Sequence, residues 1–83
     1  MVIWKPAAHR DLAGIDSAQV DRIIAAIDLF ASTGRGDVKL LKGQLEGPLR
    51  VWRLRVGDYR VRFTCESETF TVLHVSHRRE AYR

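Results

Sequence analysis

The feature that most constrains the fold is an alternation that runs through residues 49–65 and is interrupted once, at Gly57 and Asp58. Trp52, Leu54 and Val56 recur at every second position, with Val51, Arg53 and Arg55 on the intervening ones. Beyond the break, Tyr59, Val61, Phe63 and Cys65 alternate with Arg60, Arg62 and Thr64. Successive side chains of an extended chain point to opposite faces, so this period of two is the pattern of half-buried strands. Gly57 and Asp58 suit a tight turn, and a third strand-prone run follows over residues 69–75. Two hairpins in succession make a three-stranded antiparallel meander.

The first half reads differently. Val2, Ile3 and Trp4 form a short strand-prone run that Pro6 stops, because proline has no N–H to continue a ladder but suits the first turn of a helix. A first helix over residues 7–13 closes at Gly14, where a positive φ is expected. Asp16 or Ser17 offers a side-chain cap for a second helix, in which Val20, Ile23, Ile24, Ile27 and Phe30 form one apolar stripe. Residues 32–37, with Gly34 and Gly36, break that helix and connect it to Val38, Leu40 and Leu41. The sheet proper is expected to begin after Gly47 and Pro48. The fold class is therefore α+β: a short N-terminal strand, two helices, then the meander, all in one domain over residues 1–83.

Composition narrows the function. Hydrophobic residues make up 46% and charged residues 29% of the 83, a balance that fits a soluble globular domain. The N-terminal residues lack a signal-peptide pattern, and no apolar run nears the roughly 20 residues that span a bilayer, so a cytoplasmic protein without a membrane partner is expected. The single cysteine, Cys65, has no second thiol for a disulfide or a zinc site, and it reads as a buried strand residue. No metal or other cofactor is implied. The net charge of +4 favours a polyanionic partner, and the charge is concentrated in the second half. Five arginines and one acid lie between Arg50 and Arg62, and Arg78, Arg79 and Arg83 follow near the end. If Trp52, Leu54, Val61 and Phe63 face the helices, then Arg53, Arg55, Arg60 and Arg62 converge on the opposite face, since charged heads are rarely buried unpaired. Such crowding of like charge costs repulsion unless a partner offsets it.

Three segments together have a family likeness: Leu41-Lys42-Gly43, the stretch Trp52-Arg53-Leu54-Arg55-Val56-Gly57-Asp58-Tyr59-Arg60, and the ending His77-Arg78-Arg79-Glu80-Ala81-Tyr82-Arg83. In this order, and with this length and basicity, they resemble the RelE branch of the RelE/ParE toxin superfamily. The resemblance implies a small antiparallel sheet with two N-terminal helices. It also implies a type II toxin that cuts mRNA in the ribosomal decoding site without a metal. The substrate's own 2′-hydroxyl attacks the adjacent phosphate, leaving a cyclic phosphate and a 5′-hydroxyl. Carried over to this chain, the catalytic positions are Arg53, Arg55, Arg60, Arg78 and Tyr82, with Lys39, Lys42, Arg50, Arg62, Arg79 and Arg83 as further RNA contacts. Substitution of Arg60 or Arg78 is expected to leave the fold intact, each being read as an exposed cation.

The strand positions that are often lysine in this family are arginine here, at Arg53 and Arg55. Arginine neutralises phosphate but scarcely accepts a proton. A base must therefore come from elsewhere, and imidazole titrates near neutrality. His77, beside Arg78, is the first candidate and His74 the second, while His9 lies in the first helix away from the basic cluster. Tyr82 can stack on a base or orient the attacking hydroxyl, or it can pack the C-terminal tail beside Phe70 and Val72. The resemblance further implies a cognate antitoxin, the ribosome and mRNA as partners, with operator DNA bound through the antitoxin. Two alternatives remain: a ParE-like toxin acting on DNA gyrase, and a noncatalytic nucleic-acid-binding module. The latter would use Ser17 to Phe30 as a recognition helix, yet that segment carries Asp21 and Asp28 against Arg22 alone.

Overall fold

A computed structural model describes the backbone of residues 1–81 and the side chains of residues 1–79. The element order is β1 (Val2–Trp4), α1 (Pro6–Ala13), α2 (Ser17–Thr33), β2 (Asp37–Glu46), β3 (Leu49–Val56), β4 (Tyr59–Glu66), β5 (Thr69–His77) and a short α3 (Arg78–Ala81). The strands form one sheet in the order β1-β5-β4-β3-β2. Strands β2 to β5 run antiparallel to their neighbours, and β1 joins β5 in parallel, with Val2 opposite Phe70 and Trp4 opposite Val72.

The α+β class and the order of elements are as expected, but the meander has four strands. The sheet begins at Asp37, because residues expected to precede it pair with β3: Val38 lies opposite Leu54 and Leu40 opposite Trp52. Between Leu40 and Leu45 the register shifts, and Gly43 takes φ 79° in this irregular stretch. That bulge hides the period of two on which the sequence reading depended. The third expected run also extends further, to His77.

Both helices start and stop for local reasons. Pro6 opens α1 at its first turn. Gly14 closes it with φ −92°, so the positive φ expected there is not used. Asp16 precedes α2 without a side-chain cap, its carbonyl instead accepting the N–H groups of Gln19 and Val20. Gly34 ends α2 in the left-handed region, at φ 76°, with its N–H donated to the Phe30 carbonyl at 2.8 Å.

The core lies between the helices and one sheet face. Ala8 of α1 and Ile23 and Ile27 of α2 pack with Leu54, Val61, Phe63, Val72 and Val75, all buried. Ile24, at the flank of the α2 stripe, stays 37% exposed. Phe30 docks the end of α2, its ring 5.4 Å from Phe63 and 5.5 Å from Phe70 in tilted and edge-on arrangements that aromatic quadrupoles favour. Trp4 and Trp52 pack against this cluster, as expected. Cys65 does not; it lies beyond the core near the end of β4 and is exposed, so the expectation of a buried residue is corrected.

Because Ile27 and Phe63 are fully buried and join α2 to the sheet, Ile27→Ala should lower stability by about 2 to 5 kcal/mol and Phe63→Ala by about 3 to 5 kcal/mol. Urea unfolding of purified variants measures this. Midpoints equal to the parent's would contradict the packing described.

Candidate functional site

The hairpin β3–β4 sets the geometry of the basic face. Gly57, at φ 57°, and Asp58 close it in two residues, which fixes Val56 opposite Tyr59 and every pair behind them. Leu54 then meets Val61, and Trp52 meets Phe63, on the helix side. On the other face Arg55 lies opposite Arg60 and Arg53 opposite Arg62. The two outer strands extend these pairs into two rows. One runs Lys39, Arg53, Arg62, His74 and the other Asp37, Arg55, Arg60, Ser76.

Like charges directly across a strand pair repel, and little in the fold offsets this. Among the described side chains, Asp37 is the one carboxylate within ion-pair reach of the four arginines, at 3.9 Å from both Arg53 and Arg55. Arg60 differs from expectation. It is 9% exposed, and its guanidinium donates to the carbonyls of Gly57, at 3.0 Å, and Tyr59, at 3.1 Å. Arg60 thus braces the hairpin turn as well as adding charge, so its removal is not structurally silent. Arg78 is exposed as expected, its guanidinium stands 3.9 Å from Asp58, and its main-chain N–H donates to the Asp58 carbonyl.

The remaining sequence candidates fall in several places. Lys42 lies in the β2 bulge and Arg79 in α3, both exposed. Arg50 shares strand parity with Trp52 and so stands on the helix side of the sheet, exposed beyond the core. Tyr82 and Arg83 lie outside the described residues. His77 pairs with Tyr59, and its ring meets the tyrosine ring edge-on at 5.4 Å, on the face opposite the arginines. Its Nδ1 accepts the Arg79 N–H at 3.3 Å. The histidine that shares the arginine face is His74.

A β-bulge produces this exchange. Arg62 pairs with His74 and Phe63 with Val72, so Leu73 is an extra residue in β5. It reverses the parity of everything after it, putting Val75 in the core and His74 beside Arg62. The bulged strand is held from its open edge by α1: the Asp11 carboxylate accepts the Val75 N–H at 2.9 Å and lies 3.2 Å from His74 Nδ1.

Next to this row lies a cleft of about 520 Å³ between α1 and the β2 bulge. Val51 and Leu73 give it a buried apolar floor, and Arg62 and His74 form one wall. Across its mouth Lys5 donates to Glu46 at 2.9 Å. None of Asp11, Lys5, Glu46, Val51 or Leu73 was a sequence candidate for the site. Their roles depend on two bulges and a helix packed at a sheet edge, which leave no spacing signal. Among the described residues no grouping of His, Cys, Asp and Glu could hold a metal, and no helix is long and apolar enough to cross a membrane.

Solved structures of similar fold include chains of toxin–antitoxin complexes. A chain of the RelB–RelE antitoxin–toxin complex from Methanococcus jannaschii superposes with a TM-score of 0.75 at 23% identity, covering 96% of this chain and 94% of the other. The archaeal RelE–RelB complex from Pyrococcus horikoshii OT3 gives 0.74 at 24%, covering 93% and 92%. The RelBE2 toxin–antitoxin complex from Mycobacterium tuberculosis gives 0.64 at 28%, covering 93% and 88%. No curated protein sequence matches the chain. The model for the ParE toxin of the type II toxin–antitoxin system parDE matches residues 2–82, and the chain belongs to this family. It is a type II toxin of the RelE/ParE superfamily.

The Lys5 hydrogen bond and positive charge hold the Glu46 carboxyl below its ordinary value. The bridge is therefore in place above the usual carboxylate range and is lost as pH falls through that lowered value. A carboxyl NMR titration should give Glu46 a midpoint below that of a free glutamate, and Lys5→Met should raise it. A midpoint that Lys5→Met leaves unchanged would remove the bridge from the cleft mouth.

Proposed function

We propose that this toxin is a metal-independent, ribosome-dependent mRNA endonuclease of the RelE type, active in the cytoplasm. The observation that carries the reading is the two pairs of arginines in direct cross-strand register, with Asp37 as their one described counter-charge. Repulsion built into a sheet face is relieved when a polyanion docks, and guanidinium groups match phosphate oxygens in pairs. In the reaction implied by the family resemblance, charge develops on the equatorial phosphate oxygens as the 2′-oxygen attacks. Arg53, Arg55 and Arg62 are the cations proposed to stabilise it. Arg60 contributes charge while bracing the turn, and Arg78 and Tyr82 complete the set near the C-terminus. His77 enters only if it approaches from the opposite face, so it ranks below His74. Lys39, Lys42, Arg50, Arg79 and Arg83 serve docking on RNA.

Such a face binds phosphate but does not by itself hold RNA in an in-line geometry, a service that can contribute about 7 to 11 kcal/mol to lowering a barrier. The ribosome is the proposed supplier, holding a single-stranded codon while the toxin docks through salt-sensitive phosphate contacts. A cognate antitoxin is the proposed silencing partner, as in the RelB–RelE complexes of similar fold, and operator DNA would be reached through it. The match to the ParE model supports a second reading, in which the target is DNA gyrase and the arginine face serves another polyanion.

The purified toxin should cleave a message in a vacant decoding site and leave the same message uncut when free, with cleavage lost at raised salt. Arg53→Met combined with Arg62→Met should lower cleavage at least about 100-fold while the fold persists, since both side chains leave the helix-facing core untouched. Equal cutting of free and ribosome-bound message would sink the ribosome-dependent mechanism. Gyrase inhibition without RNA cleavage would establish the second reading instead.

A further inference from the structure

We infer that His74, held by Asp11, is the proton-accepting residue of the arginine face; the inference rests on the endonuclease reading above. Three observations converge. The register places His74 at the end of the row Lys39, Arg53, Arg62, beside the cation nearest the cleft. The ring is half-exposed and forms part of the cleft wall, so a substrate can reach it. One ring nitrogen is already committed, with Nδ1 lying 3.2 Å from Asp11 Oδ2.

The state of the ring follows from the second bond to that oxygen. Asp11 Oδ2 accepts the Val75 N–H, a donor that cannot reverse its role, so the oxygen faces Nδ1 as an acceptor. Nδ1 then carries a proton, and in the neutral ring the Nε2 lone pair is left to accept another. The carboxylate fixes tautomer and ring orientation together. The charged groups around the ring come from each packed element: Asp11 from α1, Arg62 from β4, and Lys5 and Glu46, which line the same cleft. His77, by contrast, has its Nδ1 occupied by a backbone N–H and its ring against Tyr59 on the other face.

In the step so assigned, the 2′-hydroxyl proton passes to His74 Nε2 as the 2′-oxygen forms its bond to phosphorus. The bond from phosphorus to the 5′-oxygen breaks, that oxygen keeps the electron pair and takes a proton from solvent water, and the imidazolium returns its proton to solvent. No other reactant is required. Arg62, in the same row, is placed to meet the phosphate while His74 meets the sugar. Asp11 touches neither and is a positioning residue.

The test is single-turnover cleavage of a message in the vacant decoding site across pH, with the parent, H74Q, H74A and D11N. H74Q should lose about 100-fold in rate near neutral pH and abolish the rise of rate through the imidazole range. Added imidazole should restore part of the H74A rate. D11N should lose less and keep the rise, because the imidazole is present but has lost its carboxylate partner. In the parent, nitrogen NMR should report His74 as the Nδ1-protonated tautomer. A parental rate and profile in H74Q would overturn the assignment. So would a pH-independent loss with no imidazole rescue, which is the signature of a residue that only pins α1 to the sheet. A parent that cuts nothing on ribosomes overturns the endonuclease reading itself, and the assignment with it.

Discussion

The two-residue turn at Gly57 and Asp58 is the constraint on which the rest of the molecule depends. It fixes the register of β3 on β4, and register decides which set of side chains enters the core. In the observed register Leu54 and Val61 meet on the helix side, and Arg53, Arg55, Arg60 and Arg62 share the other. A slip of one residue in either strand would turn its arginines toward Ile23 and Ile27, where an unpaired charge costs far more than any packing gained. Arg60 reinforces the same turn from within, by donating to the Gly57 and Tyr59 carbonyls. Core and basic face are therefore two consequences of one turn.

The second fixed point is at the opposite edge. Strand β1 covers β5 only as far as Val72, where the Lys5 N–H takes the Val72 carbonyl, and the chain then leaves the sheet as α1. That would expose the β5 edge just where it bulges, and a buried or edge N–H needs a partner. Asp11 supplies it. Along α1, Ala8 and Leu12 face the core, whereas Ala7 and Asp11, one turn apart, face the cleft and β5. One short helix thus closes the core, caps the sheet edge and lines the cleft.

The sequence was most legible where alternation was unbroken. Strands β3 and β4, the arginine face and the α2 stripe at Ile23 and Ile27 could all be read from spacing alone. Strand β2 could not, because the bulge between Leu40 and Leu45 interrupts the period and Gly43 looks like a breaker. The parallel pairing of β1 with β5 is equally silent, since three residues carry no register information. The burial of Arg60 was hidden because its acceptors are main-chain carbonyls, which every residue possesses. For the candidate site, the cations were visible and the groups around them were not.

The histidines show why. Counting parity from Phe70 and Val72, which contact the core, would send His74 inward and His77 outward to the arginines. The structure has the reverse, and a single extra residue, Leu73, is responsible. The bulge interrupts the ladder with β4 at an edge that β1 no longer covers. There the Val75 N–H donates to Asp11, and the same oxygen meets the His74 ring. Leu73, added to the strand, is not wasted either: with Val51 it forms the apolar floor of the cleft beside Arg62. The irregularity that makes β5 unreadable by periodicity is thus what gathers a polar side chain, a cation and an apolar floor at one point on a face rich in arginine. Strand regularity places charge on that face, and the bulge in β5 supplies chemical variety there.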